Sequence, residues 1–123
     1  MSRVVVVTGG NRGIGLAIAE AFVAQGDTVA VLSRSGDAPA GTHGFVCDVS
    51  STPSVEAAFD AVEAQLGPVE VAVANAGLTR DTLLMRMSDE DIDNVLNTNL
   101  FGAIRIARRA SKGMMKLRRG RLI

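Results

Sequence analysis

The chain has 123 residues, 47% of them apolar and 3% aromatic, and its formal net charge is zero. This length and apolar content are typical of one globular domain with a core of Val, Ala, Leu and Ile. Zero net charge and the lack of an apolar run of about 18 residues predict no nucleic-acid partner and no membrane contact. One cysteine, Cys47, cannot form an intrachain disulfide, and the opening Met1–Arg3 lacks signal-peptide character, which indicates a cytoplasmic protein.

A strand, a glycine-rich turn and a helix are predicted at the start of the chain. The run Val4–Val7 is typical of a parallel strand buried on both faces. After the turn Thr8–Gly15, one helical face is predicted from Ile14, Ala17, Ile18, Ala21 and Phe22. The glycines of the turn let backbone approach a ligand, and the helix start favours a phosphate. The spacing GxxxGxG differs from the common GxGxxG pattern, so a turn that needs glycines for geometry alone is the alternative.

The next segment bears on the choice of dinucleotide. Gly26 is expected to end the first helix in a left-handed conformation, and Thr28–Leu32 is the predicted second strand. In a strand-helix-strand unit, the residue just past the second strand meets the adenosine ribose, where an acid binds a free 2′-hydroxyl. Here that position holds Arg34, and Arg12 lies in the turn. Two guanidiniums predict a 2′-phosphate and therefore NADPH, although either arginine alone is as expected for a solvated surface charge.

Further candidates follow the third strand, which is predicted at Phe45–Cys47. Asp48, at its carboxyl end, is a candidate acceptor for an adenine amine, and capping of the next turn is the alternative. His43 lies in the preceding loop with no second candidate ligand nearby, so we predict no metal site. Thr52 is expected to cap a helix. Its predicted buried face consists of Val55, Ala58, Phe59, Val62 and Leu66.

The fourth strand is predicted at Val69–Ala74, and Asn75, Ala76 and Gly77 follow it. Every candidate ligand contact thus comes just after a strand. In a parallel sheet these carboxyl ends share one edge, which predicts a doubly wound α/β sheet around a dinucleotide. Residues 1–123 are therefore interpreted as one Rossmann domain that binds NADP(H).

Several motifs together resemble the short-chain dehydrogenase/reductase family. They are Thr8–Gly15, Asp48, Asn75–Gly77 and Asn97–Leu100. Within this family, Asp81–Met87 and Gly120–Ile123 are similar to the 3-oxoacyl-acyl carrier protein reductases. The stretches Gly9–Ala19 and Gly67–Val71 are most similar to their actinobacterial branch, which includes mycobacterial enzymes.

The resemblance implies reduction of 3-oxoacyl-acyl carrier protein by NADPH in fatty acid biosynthesis. Together with the glycine turn, it gives these candidate cofactor-binding residues: Gly9, Asn11, Arg12, Gly13, Ile14, Gly15, Arg34, Asp48, Val49, Asn75, Ala76 and Gly77. It also implies that Asn99 is the catalytic asparagine, which supports an active-site lysine through its backbone and a bound water. A purely structural asparagine is the alternative.

A long helix with more than one apolar face is predicted near the end. The buried face is predicted from Leu100, Ala103, Ile104, Ala107 and Ala110. Other apolar residues remain for a partner helix, and the family resemblance implies a homodimer or homotetramer through this region. The basic end Lys112–Arg121 is by default a solvated helix end. The alternative is a docking patch for acyl carrier protein through Arg118 and Arg119.

One departure from the family pattern limits the prediction of activity. The family uses a serine, a tyrosine acid and a lysine that all lie beyond the fifth strand, whereas this chain has no tyrosine and ends at Ile123, inside the expected strand. We therefore expect the amino-terminal half of a reductase, inactive alone, with strand four left uncovered. A non-catalytic nucleotide-binding or dimerising module is one alternative. A family member that reduces acetoacetyl-coenzyme A or another small ketone is the other.

Overall fold

The computed structural model describes residues 2–123, which form a five-stranded parallel sheet with helices on both faces. The strands are β1 (Val4–Thr8), β2 (Thr28–Ser33), β3 (His43–Val46), β4 (Val69–Val73) and β5 (Arg121–Leu122). The helices are α1 (Gly13–Ala24), α2 (Thr52–Leu66), α3 (Asp89–Val95) and α4 (Gly102–Leu117). A 3₁₀ turn spans Leu84–Arg86, and a π-helical segment, Leu96–Phe101, joins α3 to α4. None of the helices within residues 2–123 is long and apolar enough to cross a membrane.

The strands lie in the order β3-β2-β1-β4-β5. From β1 to β3 the sheet grows in one direction, and β4 then pairs with the free side of β1, so that the switch point lies between β1 and β4. This is the predicted doubly wound arrangement, which is confirmed. The expectation that β4 is uncovered was wrong. Val71 pairs with Arg121 and Ala72 with Leu122. The two residues of β5 are therefore enough to form a parallel pairing with β4.

The valines of β1 divide between two cores because successive side chains of a strand point to opposite faces. Val4 and Val6 face α2 and α4, while Val5 and Val7 face α1. On α2 the predicted face is confirmed by the buried residues Val55, Ala58, Phe59 and Val62, with Leu66 partly buried against them. Both faces of the sheet are thus covered, as a central parallel strand requires.

The predicted face of α1 was only half right. Ile18 and Phe22 pack against the sheet, but Ile14 is 76% exposed. The most buried positions of α1 belong instead to the small residues Gly15 and Ala19. Small residues let the helix approach the sheet closely. The face of α1 that packs on the sheet is therefore centred on these small residues and not on the large apolar ones.

The predicted face of α4 was only partly right: Ala110 is buried, and Ala103 and Ala107 are partly buried. Leu100 and Ile104 are half exposed, whereas the buried residues of α4 are Gly102, Ile106, Arg109, Ala110 and Met114. This helix has two apolar faces. The periodicity of apolar residues favoured the face that has no charged residue. Arg109 is only 7% exposed and lies in the middle of the face that is buried.

Arg109 is tolerated in the core because acidic side chains of α2 surround it. Its guanidinium donates to Glu56 (2.9 Å), Asp60 (3.0 Å) and Glu63, and it lies 5.3 Å from the centre of the Phe59 ring. A buried charge is stable only when it is paired in this way. Arg109 therefore joins α4 to α2.

Several element ends differ from the prediction by one or two residues. The cap of α2 is Ser51, whose hydroxyl accepts from the N–H of Ser54 (3.3 Å), while Thr52 is the first helical residue. His43 is the first residue of β3, because it pairs with Ala30 of β2. Gly26 has a φ of 92°, which confirms the left-handed end of α1.

Candidate functional site

A cleft of about 660 Å³ opens at the carboxyl ends of the strands, beside the reversal between β1 and β4. Open α/β sheets bind ligands at this position. Ten candidates line it, namely Gly9, Asn11, Arg12, Gly13, Ile14, Arg34, Val49, Asn75, Ala76 and Gly77. Its walls also contain residues that were not candidates: Leu32, Ser33, Ser35, Cys47, Leu78, Arg80 and Thr98. Three candidates, Gly15, Asp48 and Asn99, do not line the cleft.

The turn between β1 and α1 forms one end of the cleft. Gly9 and Gly13 have φ values of 66° and 58°, a left-handed conformation that favours glycine. The first turn of α1 follows Arg12, which has an extended backbone and makes no side-chain capping bond within residues 2–123. The N–H groups and the positive dipole end at a helix start favour an anion. The local geometry therefore suits a phosphate.

Hydrogen bonds across the switch point hold β1 and β4 in register. The hydroxyl oxygen of Thr8 accepts from the backbone N–H groups of Asn75 (3.0 Å) and Ala76 (2.9 Å), and it donates to the carbonyl of Val73 (3.3 Å). In return, the Asn75 amide donates to the carbonyls of Thr8 (3.2 Å) and Gly9 (3.4 Å). Thr8 is 1% exposed, so these bonds are shielded from water. Asn75 thus fixes the floor of the cleft as well as lining it.

Gly15 lies beneath this floor rather than in the wall. A Cβ atom at position 15 would overlap the Gly9 carbonyl and the Asn75 side-chain amide. Glycine at this position therefore lets α1 sit directly against the end of β1 and β4. Its role is packing, which supports the geometry of the turn above it.

Arg12 and Arg34 are exposed and line the cleft. Within residues 2–123, neither side chain is engaged in a hydrogen bond or an ion pair. The nearby Ser33 hydroxyl is already committed, because it donates to the Asp37 carbonyl (3.1 Å) and accepts from the Gly36 N–H (3.0 Å). The two guanidiniums therefore remain available to an anionic ligand, as do the N–H groups at the start of α1.

Asp48 follows β3 and stabilises its own turn. Its carboxylate accepts from the Ser50 hydroxyl (2.6 Å) and the Ser50 N–H (2.9 Å). These bonds hold the pKa of Asp48 below its ordinary value, and the charges of Arg34 and Arg105 act in the same direction. The turn-capping alternative is confirmed, and contact with an adenine amine stays a prediction.

Cys47, which lines the cleft next to Asp48, is a buried thiol. Burial, and secondarily the neighbouring charge of Asp48, raises its pKa to about 11. The thiol is therefore neutral near pH 7 and packs as a small apolar residue, in agreement with its 3% exposure.

Asn99 lies in the π-helical segment and contacts the loop that follows β4. Its Oδ1 accepts from the N–H of Leu78 (2.8 Å), and its Nδ2 donates to the carbonyl of the same residue (2.9 Å). Gly77 fits closely here, since a Cβ atom on it would lie 3.1 Å from Oδ1 of Asn99. Although Asn99 is outside the cleft wall, both neighbours Thr98 and Leu78 line it.

The basic residues at the chain end lie away from the cleft. Arg118 ends α4 in a left-handed conformation, with φ of 59°. Arg119 donates to Glu70 at 3.0 Å and is 63% exposed at its side chain. Neither residue lines the cleft described above.

Comparison with known proteins gives consistent relatives. Residues 3–123 match the family model for short chain dehydrogenase. The chain is 54% identical over 123 residues to the 3-oxoacyl-acyl-carrier-protein reductase MabA of Mycobacterium tuberculosis, covering all of this chain and 50% of that protein. It is 37% identical over 129 aligned positions to the corresponding reductase FabG of Escherichia coli, covering 98% of this chain and 53% of that protein.

A solved structure agrees with these matches. A short-chain dehydrogenase from Streptomyces avermitilis superposes with a TM-score of 0.91 at 29% identity, over 99% of this chain and 48% of that one. The chain thus spans about half the length of the relatives it matches. With a family model that matches nearly every residue, the chain belongs to the short-chain dehydrogenase family of oxidoreductases.

Proposed function

We propose that the protein carrying this sequence reduces 3-oxoacyl-acyl carrier protein to the 3-hydroxyacyl product with NADPH, in fatty acid biosynthesis. The observation that carries this proposal is the cleft at the switch point, which Arg12 and Arg34 line. Within residues 2–123, their guanidiniums make no hydrogen bond or ion pair, and the start of α1 has no side-chain cap. Relatives at 54% and 37% identity are 3-oxoacyl-acyl-carrier-protein reductases, which supports the substrate class.

The residues of the cleft fit a nicotinamide dinucleotide. The start of α1, with Asn11, Arg12, Gly13 and Ile14, would hold the phosphates, and Asn75–Gly77 would run along the ribose. Asp48 and Val49 would meet the adenine. When bound, this cofactor supplies the hydride for reduction of the ketone.

Asn99 is the candidate of this chain for a role in proton transfer. Its side chain is already bonded to the backbone N–H and carbonyl of Leu78, so we assign the role in proton transfer to its backbone. We assign it the support of a lysine through that backbone and a bound water, as the family resemblance implies. The side chain then orients the backbone rather than touching the substrate.

The choice of NADPH tests the proposal at Arg34. NADPH is expected to bind more tightly than NADH, because Arg12 and Arg34 can donate charged hydrogen bonds to the 2′-phosphate. Arg34→Asp should shift this preference by about 1.5 to 3 kcal/mol, the value of hydrogen bonds to charged groups. Isothermal titration of both cofactors against the 123-residue chain measures the shift.

Arg108→Asp is the matched control, because it makes the same charge change on the exposed side of α4, outside the cleft. It should leave the preference unchanged. Equal affinity of the unmodified chain for NADPH and NADH would contradict the assignment of the two arginines.

A homodimer or homotetramer is part of the proposal. Leu96, Leu100, Phe101 and Ile104 are each between 44% and 51% exposed, on the π-helical segment and the start of α4. Contiguous apolar surface of this kind is rare on monomers, which supports burial against a second subunit.

The acyl carrier protein is proposed to dock on the basic chain end. Charge complementarity acts mainly on the encounter rate, so Arg118→Glu with Arg119→Glu should lower kcat/KM for carrier-protein substrates about tenfold. A small thioester mimic should be nearly unaffected. Steady-state kinetics of the intact protein at low and high salt measure this, since added salt should shrink the difference.

A second variant separates docking from folding. Arg119→Glu also removes the bond to Glu70, whereas Arg118→Gly removes one cation and suits the left-handed backbone at that position. Arg118→Gly should therefore reproduce part of the loss on carrier-protein substrates. An equal loss on both substrates would indicate a folding defect, and no loss on either would return the basic end to a solvated helix terminus.

A further inference from the structure

We propose that Arg105 is a positioning residue, which holds the adenine end of the cleft in register with the segment that carries Asn99. The proposal rests on the proposed function for the roles of these two ends. Its physical content is a coupling between two parts of the fold, and this coupling can be measured without turnover.

Arg105 joins two separate parts of the chain through one guanidinium. Its Nη1 donates to the carbonyls of Val49 (3.0 Å) and Asn97 (3.2 Å), and its Nη2 donates to the Asn97 side-chain oxygen (2.8 Å). Its Nε donates to the Thr52 hydroxyl (3.2 Å). Only the planar guanidinium, with its donors in a fixed arrangement, can make these bonds at the same time. The ammonium group of a lysine cannot.

The first part lies at the adenine end. Val49 lines the cleft just after β3, and Thr52 begins α2. The start of α4 is pressed against the same place, since a Cβ atom on Gly102 would lie 2.9 Å from Cγ2 of Val49. A shift of Val49 therefore cannot be absorbed by empty space beside α4.

The second part is the π-helical segment. A π-helical turn departs from the regular i→i+4 bonding of a helix, and such turns are frequent at functional sites. Asn97 accepts hydrogen bonds from Arg105 at its backbone carbonyl and at its side-chain oxygen, and it precedes Asn99 by two residues. The guanidinium thus fixes the segment immediately before the residue that holds Leu78.

These bonds link Val49 to Asn97 through Arg105, and Asn99 to Leu78, and the backbone from Asn97 to Asn99 connects the two sets. Both ends of this connection line the cleft, on the walls formed after β3 and after β4. Loss of the central fork should leave Asn97 free to move and should loosen the grip of Asn99 on Leu78. Spatial connection alone does not establish coupling, so the effect must be measured at the far end.

The Leu78 N–H is a direct reporter, because it donates to Oδ1 of Asn99. In Arg105→Ala, we expect amide hydrogen exchange at Leu78 to rise at least tenfold in the 123-residue chain, while the amides of β1 keep their protection. NMR of the labelled chain measures both. Arg105→Lys should give the same rise, because it keeps the charge and the stem but loses the fork. This second variant keeps the test valid if Arg105→Ala fails to fold.

Arg108→Ala is the matched control, since within residues 2–123 the Arg108 side chain makes no hydrogen bond or ion pair. It should leave Leu78 exchange unchanged. In the intact protein, Arg105→Lys should lower kcat by about tenfold while KM for NADPH changes less than about threefold, because binding contacts remain and positioning is lost. A folded Arg105→Lys variant with unchanged Leu78 exchange would overturn the proposal. Raised exchange in a protein that reduces no 3-oxoacyl thioester would uphold the coupling and reject only the proposed function.

Discussion

The purified 123-residue chain is expected to leave a 3-oxoacyl thioester unreduced, even with NADPH in excess. Reduction of a ketone needs a proton donor placed at the developing alkoxide, and the family uses a tyrosine, a residue this sequence lacks. General acid catalysis is typically worth about 10² to 10⁴-fold, and loss of substrate orientation lowers the rate further. The consumption of NADPH at 340 nm with acetoacetyl thioester measures the rate.

Cofactor binding by the same sample is the necessary control. The phosphate turn, Arg34 and the Asn75–Gly77 floor all lie within the described residues, so the chain should still bind NADPH. Binding without turnover would separate the two halves of the proposal. Turnover by a chain whose mass confirms its length would contradict the need for a tyrosine, and absence of binding would instead point to incomplete folding.

The arrangement of the strands could be predicted because local patterns and topology agree. The run Val4–Val7 is apolar at every position, and β1 is buried at every position, between β2 and β4. Glycines and the Arg34 position follow strand ends, and all strand ends of a parallel sheet meet at one edge. The position of the cleft and most of its residues could be predicted from that rule alone.

The packing of helices was harder to predict because periodicity counts apolar residues and ignores size and pairing. On α1, Gly15 and Ala19 are buried because they are small, although larger residues occupy neighbouring faces. On α4, Arg109 is buried because acidic side chains of α2 meet it, and those partners are 46 to 53 positions away in sequence. The apolar periodicity of a single helix contains neither kind of information.

Arg105 and Thr8 were missed as parts of the site for a related reason. The bonds of Arg105 to Val49 and Thr52 span 56 and 53 positions, and those of Thr8 to Asn75 and Ala76 span 67 and 68. A single sequence gives the chemistry of these side chains but not their distant partners. On the helix face of Arg105 the sequence also places Arg108, Arg109 and Lys112, so a solvated basic face was the natural interpretation.

Gly15→Ala should damage the cleft more than any other single methyl group added to this chain. The new Cβ would overlap the Gly9 carbonyl and the Asn75 amide, and a backbone carbonyl has no alternative rotamer. Overpacking of this kind typically costs about 1 to 3 kcal/mol, and occasionally more. Since α1 must move away from the end of β1, both the turn that would hold the phosphates and the Asn75 floor are displaced.

We expect two measurements to respond together. The melting temperature of Gly15→Ala should fall by several degrees, because about 1 kcal/mol corresponds to roughly 2 to 8 °C in domains near this size. The affinity for NADPH should fall about a hundredfold, since the displaced atoms are those that form the binding turn. Calorimetric titration below the melting temperature of the variant separates the loss of binding from unfolding.

Gly26→Ala is the matched control, at the other end of α1. Gly26 has a φ of 92°, so alanine there is strained, but its Cβ would meet nothing within 4 Å. This variant should lose about 1 to 2 kcal/mol of stability and keep its affinity for NADPH, because the strain lies far from the turn. If Gly15→Ala lost stability alone and bound NADPH as the parent chain does, the phosphate site would have to lie elsewhere in the cleft, since the turn above Gly15 cannot keep its geometry while α1 moves.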